Sequence, residues 1–349
     1  MSRYRVGVIG LGRIASTIDD EVKRKYASTM LPYSHVASYM EVPEVEVVAG
    51  SDVLADKRAA FTERWGVEAV YEDYRAMLAA EKPDIVSVCT RTEDRQEAVM
   101  ACAEAGVRAI YAEKPIAISL ADADAMVAAC EARGAVLAVG CTRRWDPWHV
   151  RARELVDEGL LGERLNIIGM LQCGLSHNGS HLIDIVRWHA GNANVDYVFG
   201  DMSSDEAAAS DEDLSGNGYL HFSNGATGWI RATNCGNIGG VEVEVLCTNG
   251  RLRGVGNGID WELWLRAAEA GLTGYAKAAF PRPQRLLSAN VNAVYNLIEC
   301  IEQGREPNCS GKDGRAALEI AIALRQSHRE RARIDLPLAD RSLKMVAKA

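Results

Sequence analysis

Along the first 141 positions, apolar residues come in short, nearly unbroken runs, and most of these are followed by a stretch of helical periodicity. The runs are YRVGVIG (4–10), VEVVAGS (45–51), VEAVY (67–71), PDIVSVCT (83–90), VRAIYAEK (107–114) and AVLAVGC (135–141). Between them, EDYRAMLAAE (72–81), RQEAVMACAEAG (95–106) and residues 119–133 carry helical spacing, and Gly106 closes the second of these. Strands that lack polar alternation and are separated by helices belong to a parallel sheet covered on both faces. After residue 142 the texture changes. LNIIGMLQ (165–172) reads as a strand, and residues 196–264 alternate with period two. Asn224-Gly225 and Asn249-Gly250 mark two hairpin turns of the kind that uses φ > 0. Helices are expected at 286–303 and 314–332, with a short strand in IDLPL (334–338) and a mobile loop at 277–285. The pattern predicts an α/β doubly wound domain over 1–141. An α+β domain over 142–349 follows, built on a large, open, mostly antiparallel sheet.

Composition adds exclusions. The chain has 349 residues, 48% hydrophobic and 25% charged, with a net charge of −9. Without a basic tract, neither nucleic acid nor an anionic membrane is expected as a partner. Nine cysteines are scattered with no C-x-x-C pair, so neither a disulfide framework nor a zinc site is expected. No run of 18 apolar residues occurs and the N-terminus enters a strand at once, so a cytoplasmic protein with reduced thiols is expected. An open sheet face is a ready oligomer surface. Trp229, Trp261 and Trp264 either cover it or fill the core of the second domain.

The first chemical signal is the turn Gly10-Leu11-Gly12-Arg13-Ile14-Ala15, a G-x-G-x-x-A after a strand. Gly10 permits the tight turn, Gly12 lets backbone approach a pyrophosphate, and Ala15 lets the helix pack closely. Asp52 ends the second strand, where a carboxylate accepts ribose hydroxyls and repels a 2′-phosphate, so NAD is expected over NADP. Forty-two residues separate Gly10 from Asp52, against about 20 in the compact fingerprint. The surplus lies around 16–38 and reads as an extended loop, either a solvated ornament or a flap; the lesser alternative for Asp52 is a plain strand-end turn residue. Thr90, Arg91, Thr92, Glu113 and Lys114 all stand at strand carboxyl ends, where ligands bind in such sheets. A desolvated lysine there can stabilise negative charge on a reacting oxygen, although a surface turn is the common fate of lysine. Arg91 and Arg95 either bind a substrate carboxylate or, as favoured, pair with Glu93 and Asp94.

The second signal is HNGSHLIDIVRW (177–188). Read as one helix, it puts His177, His181 and Asp184 at i, i+4 and i+7 on a shared face. Two imidazoles and a carboxylate suit proton transfer. They would also suit a metal, for which a third ligand would be needed.

In this order, the Gly-rich turn, the Glu113-Lys114-Pro115 strand end and the histidine stretch resemble the glucose–fructose oxidoreductase/inositol dehydrogenase (Gfo/Idh/MocA) family. GLLGE and GKDGRAALEIAIALRQS add to the likeness, which spans nearly the whole chain. The resemblance implies an NAD(P)-dependent dehydrogenase acting on a secondary hydroxyl of a sugar, sugar acid or cyclitol, working as a homodimer or homotetramer through its sheet. It implies that Lys114 is the catalytic lysine. His177, His181 and Asp184 fall on the family pattern D-x-x-x-H-x-x-D, with His177 in place of the first aspartate. The cofactor is then expected against Gly10, Gly12, Arg13, Ile14, Ala15, Asp52, Thr90, Arg91, Glu113 and Lys114. Substrate is expected against Asp184, Arg144 and Trp145, with His181 taking the hydroxyl proton and His177 relaying it. Redox-assisted glycoside cleavage, or a catalytically silent NAD sensor, would be built from the same parts.

Overall fold

The computed structural model describes residues 3–25, 30–236, 238–267 and 274–346. The chain divides into two units: Met1–Trp145 with Leu286–Arg315, and Asp146–Arg285 with Ala316–Lys348. Residues 286–315, placed by sequence pattern in the second domain, thus belong with the first unit.

The first unit carries a six-stranded sheet. Its strands are β1 (Tyr4–Ile9), β2 (Val45–Ser51), β3 (Val70–Tyr71), β4 (Ile85–Val88), β5 (Ala109–Ala112) and β6 (Val136–Val139). Their order is β3-β2-β1-β4-β5-β6, and every pairing is parallel. All four residues of β4 and of β5 are buried, which is why these strands read as plain apolar runs. The helices are α1 (Ile18–Lys25), α2 (His35–Met40), α3 (Ala55–Trp65), α4 (Tyr74–Glu81), α5 (Thr92–Glu104) and α6 (Leu120–Arg133). Ser119 caps α6 by accepting from Asp122 N, and Gly134 ends it at φ 65°.

The surplus between Gly10 and β2 is not the extended loop its charges suggested. A π-helical turn over Arg13–Thr17 runs into α1, and α2 follows. Residues 26–29 lie outside the described residues. Two local devices order the segment. Asp19 accepts from the backbone N–H groups of Tyr33 at 2.6 Å and Ser34 at 3.0 Å. Ser34 in turn caps α2 by accepting from Ala37 N.

The second unit starts with α7 (Pro147–Asp157), capped by Asp146, then β7 (Arg164–Met170), α8 (Gly179–His189), β8 (Val195–Met202) and α9 (Asp205–Ala209). Strands β9 (Gly216–Phe222), β10 (Thr227–Arg231), β11 (Glu242–Cys247), β12 (Gly250–Val255), β13 (Asp260–Arg266) and β14 (Tyr275–Ala278) complete most of a nine-stranded sheet. Helix α10 (Ala289–Gln303) belongs to the first unit, α11 (Gly311–Glu330) runs from the first into the second, and β15 (Ile334–Asp335) is the last strand. The sheet order is β14-β13-β12-β11-β7-β10-β9-β8-β15, antiparallel except for the β7–β10 pair. The two Asn-Gly dipeptides do close hairpins, β9–β10 and β11–β12. Only the first uses a positive φ, at Gly225 (83°); Gly250 already pairs as part of β12.

Alternation sets the faces. Val198, Leu220, Phe222 and Ile230 are fully buried on one side of β8–β10. On the other side Phe199 and Trp229 are 48% and 45% exposed, among a run of touching rings: Tyr197, Phe199, Tyr219, His221 and Trp229. Trp261 takes the core role instead, 4% exposed and stacked on Phe280. The loop expected to be mobile at 277–285 begins inside β14, and Arg282 and Arg285 both stack on Trp148. No described helix is long and apolar enough to cross a membrane.

Helix α11 lies hard against β8 and β9, because Gly200 and Gly218 present no side chain to Leu324. A Cβ at Gly200 would collide with the Leu324 carbonyl, a backbone atom that cannot swing away. Gly200→Val is therefore expected to lower Tm by about 3–10 °C, from the usual cost of overpacking in a unit of this size. A calorimetric Tm within one degree of the parent, or about that, would refute this packing.

Candidate functional site

In the first unit the functional groups collect at the carboxyl ends of the strands, where the backbone amides of a following helix are unpaired and attract anions. Gly10 has φ 83°, and a Cβ there would stand 2.8 Å from the Cys89 carbonyl carbon. Only glycine can make this turn so close to the end of β4. Around Gly12 the space is open, with nothing within 4 Å of where a Cβ would be. That open space beside a bare backbone fits the close approach of a pyrophosphate that the motif implies. Ala15, fully buried, lets the following turn pack inward. Arg13 points into solvent and pairs with Glu21 at 2.6 Å.

Asp52 stands one residue beyond β2, at the strand end, despite the long intervening segment. One of its oxygens accepts from Leu11 N at 2.8 Å and the other from Leu54 N at 2.9 Å. The carboxylate is thus fixed against the Gly-rich turn. Val53 and Leu54 beside it are 75% and 53% exposed, an apolar edge next to a polar anchor.

At the end of β5 the chain turns through Glu113-Lys114-Pro115, with a cis bond before Pro115. Glu113 is 8% exposed, and its two oxygens are divided. Oε1 lies 3.1 Å from His35 Nε2, and Oε2 accepts from Lys114 N at 3.1 Å. Burial would raise the carboxyl, but the bond to His35, with the charges of His35, Lys114 and Arg95, holds it below the usual glutamate range. Desolvation holds the Lys114 amine below its ordinary value against the attraction of Glu113, with Arg95 and Arg143 adding to the lowering. Such an amine is a strong donor that readily gives up its proton.

Arg95 corrects the sequence reading. It does not pair with Glu93 or Asp94 as favoured, but is buried and donates to the carbonyls of Pro115 and Thr90, the latter at 2.6 Å. It clamps the lysine turn to the end of β4. Arg91 does pair with Asp94, at 3.0 Å, on the surface. Thr92 is buried at the start of α5. Arg144, expected at substrate, is 1% exposed and bound to Asp313 at 3.2 Å and to the Asn308 carbonyl at 3.0 Å. Trp145 donates to Asn296 Oδ1 at 2.9 Å. These partners belong to the first unit.

The second unit holds the histidines. Helix α8 begins at Gly179, so His177 is not on its face; the three-residue stripe is corrected to His181 and Asp184. His177 is exposed, in the approach to the helix. Asp213 organises that approach, accepting from Ser176 N and His177 N, each at 2.6 Å. The Ser180 hydroxyl donates to the His177 carbonyl at 2.8 Å. His181 sits in the first turn of α8, half-buried, and Asp184 one turn on is 2% exposed. Gly169 has no side chain, which lets α8 lie on β7; a Cβ there would meet Val186 at 2.5 Å.

Two sets of residues escaped the sequence reading. Asp213 lies thirty-six positions from His177 with no local pattern to link them. His35, Tyr39 and Ser87 form a buried polar cluster beneath Glu113, and His35 sits in the segment read as a loop. A serine followed by an apolar-rich stretch, Ser34 before HVASYM, was the available sign of a capped helix there.

Comparison with known proteins agrees with both units. Residues 4–141 match the model of an oxidoreductase family with an NAD-binding Rossmann fold, and residues 168–336 match that family's C-terminal alpha/beta domain. Myo-inositol 2-dehydrogenase of Thermotoga maritima is 25% identical, over 95% of this chain and 98% of the relative. D-apiose dehydrogenase of Paraburkholderia graminis is 29% identical, over 87% and 86%. Among solved structures, levoglucosan dehydrogenase in complex with NADH and L-sorbose superposes with a TM-score of 0.78, at 20% identity, over 97% of this chain and all of that one. The chain belongs to the Gfo/Idh/MocA oxidoreductase family, with an NAD-binding Rossmann domain and the family's C-terminal alpha/beta domain.

Proposed function

We propose that this enzyme transfers hydride between NAD and a secondary hydroxyl or ketone of a sugar, sugar acid or cyclitol. The observation that carries the reading is Lys114: a desolvated amine on a turn clamped by Glu113 and Arg95, at the ligand-binding edge of a Rossmann sheet. The dehydrogenases of inositol and apiose among its relatives support the substrate class. NAD, when bound, supplies the hydride acceptor. Gly10, Gly12, Arg13, Ile14 and Ala15 would hold its pyrophosphate, Asp52 its ribose, and Thr90, Arg91 and Glu113 would line its path.

In this reading Lys114 donates a hydrogen bond to the substrate oxygen and stabilises it as it gains alkoxide character. His181 accepts the hydroxyl proton, and His177 passes it outward. Asp184 fixes the His181 ring or a substrate hydroxyl. Arg144 and Trp145, both buried, would border the substrate. The ring-lined outer face of β8–β10 supports a homodimer or homotetramer formed through the sheet. Nine free cysteines are in keeping with a cytoplasmic setting.

A panel of sugars, sugar acids and inositols, each with NAD and NADP, tests the function, and NAD is expected to be favoured by roughly 100-fold in kcat/KM. Asp52→Ser should narrow that ratio; an unchanged ratio would remove Asp52 from cofactor choice. Lys114→Ala should lower kcat by about 100- to 10,000-fold while leaving the Kd for NAD within about twofold. His181→Ala should cost about 100-fold or more in kcat. Undiminished turnover in either variant would dismiss its assigned role. Because the amine sits below its ordinary value, turnover should fall along an alkaline limb centred below pH 10.5. Trp229→Asp should shift the mass by light scattering from oligomer toward monomer; an unchanged mass would exclude the β8–β10 face as the interface.

A further inference from the structure

His35 is a deeply buried titratable group that this mechanism leaves unused. It opens α2, and its side chain is 1% exposed. Nδ1 lies 2.8 Å from Ser87 Oγ on β4, and Nε2 lies 3.1 Å from Glu113 Oε1 just past β5. The Tyr111 ring covers it at 4.5 Å between centroids. Ser87 Oγ is also 2.8 Å from the Tyr39 hydroxyl, so the site has a polar floor on both sides. The groups facing the ring are Ser87 and Cys89 from the β4 end, Tyr111 and Glu113 from the β5 end, and Tyr39 from its own helix. Lys114 and Arg95 act on Glu113 from beyond. Burial favours the neutral ring, but Cys89 and Glu113 outweigh it and push the imidazole above its ordinary value, toward the protonated form. Both ring nitrogens are then donors, which suits an oxygen on each side.

We propose that His35 is a positioning residue for Lys114: by donating from Nε2 to one oxygen of Glu113, it fixes the carboxylate so that the other oxygen holds the Lys114 amide. The direction in which the amine leaves the turn is then set by a residue seventy-nine positions earlier. The segment between the Gly-rich turn and β2 thereby supports the site from below rather than covering it. The consequence for catalysis rests on the reading of Lys114 given above.

Amide exchange followed residue by residue by NMR tests the device without substrate or cofactor. His35→Gln keeps a donor where Nε2 stands. His35→Asn places its amide near Nδ1, in reach of Ser87 but not of Glu113. His35→Ala removes both. Lys114 N–H is expected to exchange about 10-fold faster in the Ala and Asn variants and at nearly the parent rate in Gln, the loss of one protecting bond. The Tyr111 and Ala112 amides of β5 should keep their protection in all three. With myo-inositol, or whichever polyol the panel selects, kcat should fall about 10- to 100-fold in Ala and Asn, with KM for NAD within about twofold and Gln restoring most of the loss. Unaltered Lys114 exchange in a folded His35→Ala would overturn the proposal. Exchange that speeds equally along β5, or Asn performing as well as Gln, would overturn it too, because either marks a packing role only. Full turnover in Lys114→Ala would sink the functional reading and leave the exchange result, and the positioning role, standing.

Discussion

A carboxylate taken out of water must find donors or protonate, and the first unit is arranged around meeting that demand for Glu113. His35 serves one of its oxygens and the Lys114 amide serves the other, while the Arg95 charge lies near. Unpaired, such a buried charge costs several kcal/mol, so these donors are held as firmly as the carboxylate is. The lysine turn inherits that rigidity. Arg95 extends it to β4 through the Thr90 carbonyl, and Gly10 rests on the same strand end. Cofactor cradle and candidate catalytic amine are therefore built on one rigid edge of one sheet.

The second unit answers a similar demand with different parts. Asp213 collects the backbone N–H groups of Ser176 and His177 and so fixes the chain as it enters α8. The helix then follows from its own sequence: Leu182, Ile183, Ile185 and Val186 are buried, and Gly169 beneath them leaves room for close contact. His181 is carried by a helix anchored along its length, and His177 by a loop anchored at its backbone. Groups held by rigid elements keep their geometry better than groups on free loops.

The fold was legible because its signals are local. Apolar runs without alternation gave the parallel strands, alternation gave the antiparallel sheet, and the Gly-rich turn and strand-end lysine stood where such sheets bind ligands. Asp52 fell at the end of β2 although its spacing was anomalous, since strand ends are set by pairing and not by counting. The errors lie where long-range contacts decide. Arg95 has acidic neighbours in sequence, yet two carbonyls claim it once α5 is packed. The charged residues of 16–38 suggested an extended loop, but Asp19 and Ser34 spend their oxygens on capping and closing the segment. His177 shared a helical phase with His181, but the bond pattern at Asn178 and Gly179 starts the helix after it. Asp213 and His35 act across the chain, and a single sequence carries no mark of that.

In the proposed reaction the Lys114 amine and the His181 imidazole would each act on the substrate oxygen. A crystal structure of the enzyme with NADH and the polyol it oxidises tests this most directly. The account predicts Lys114 Nζ and one His181 ring nitrogen each about 3 Å from the oxygen on the carbon facing the nicotinamide. A complex in which that oxygen is bound by neither group, or by groups other than these two, would contradict it.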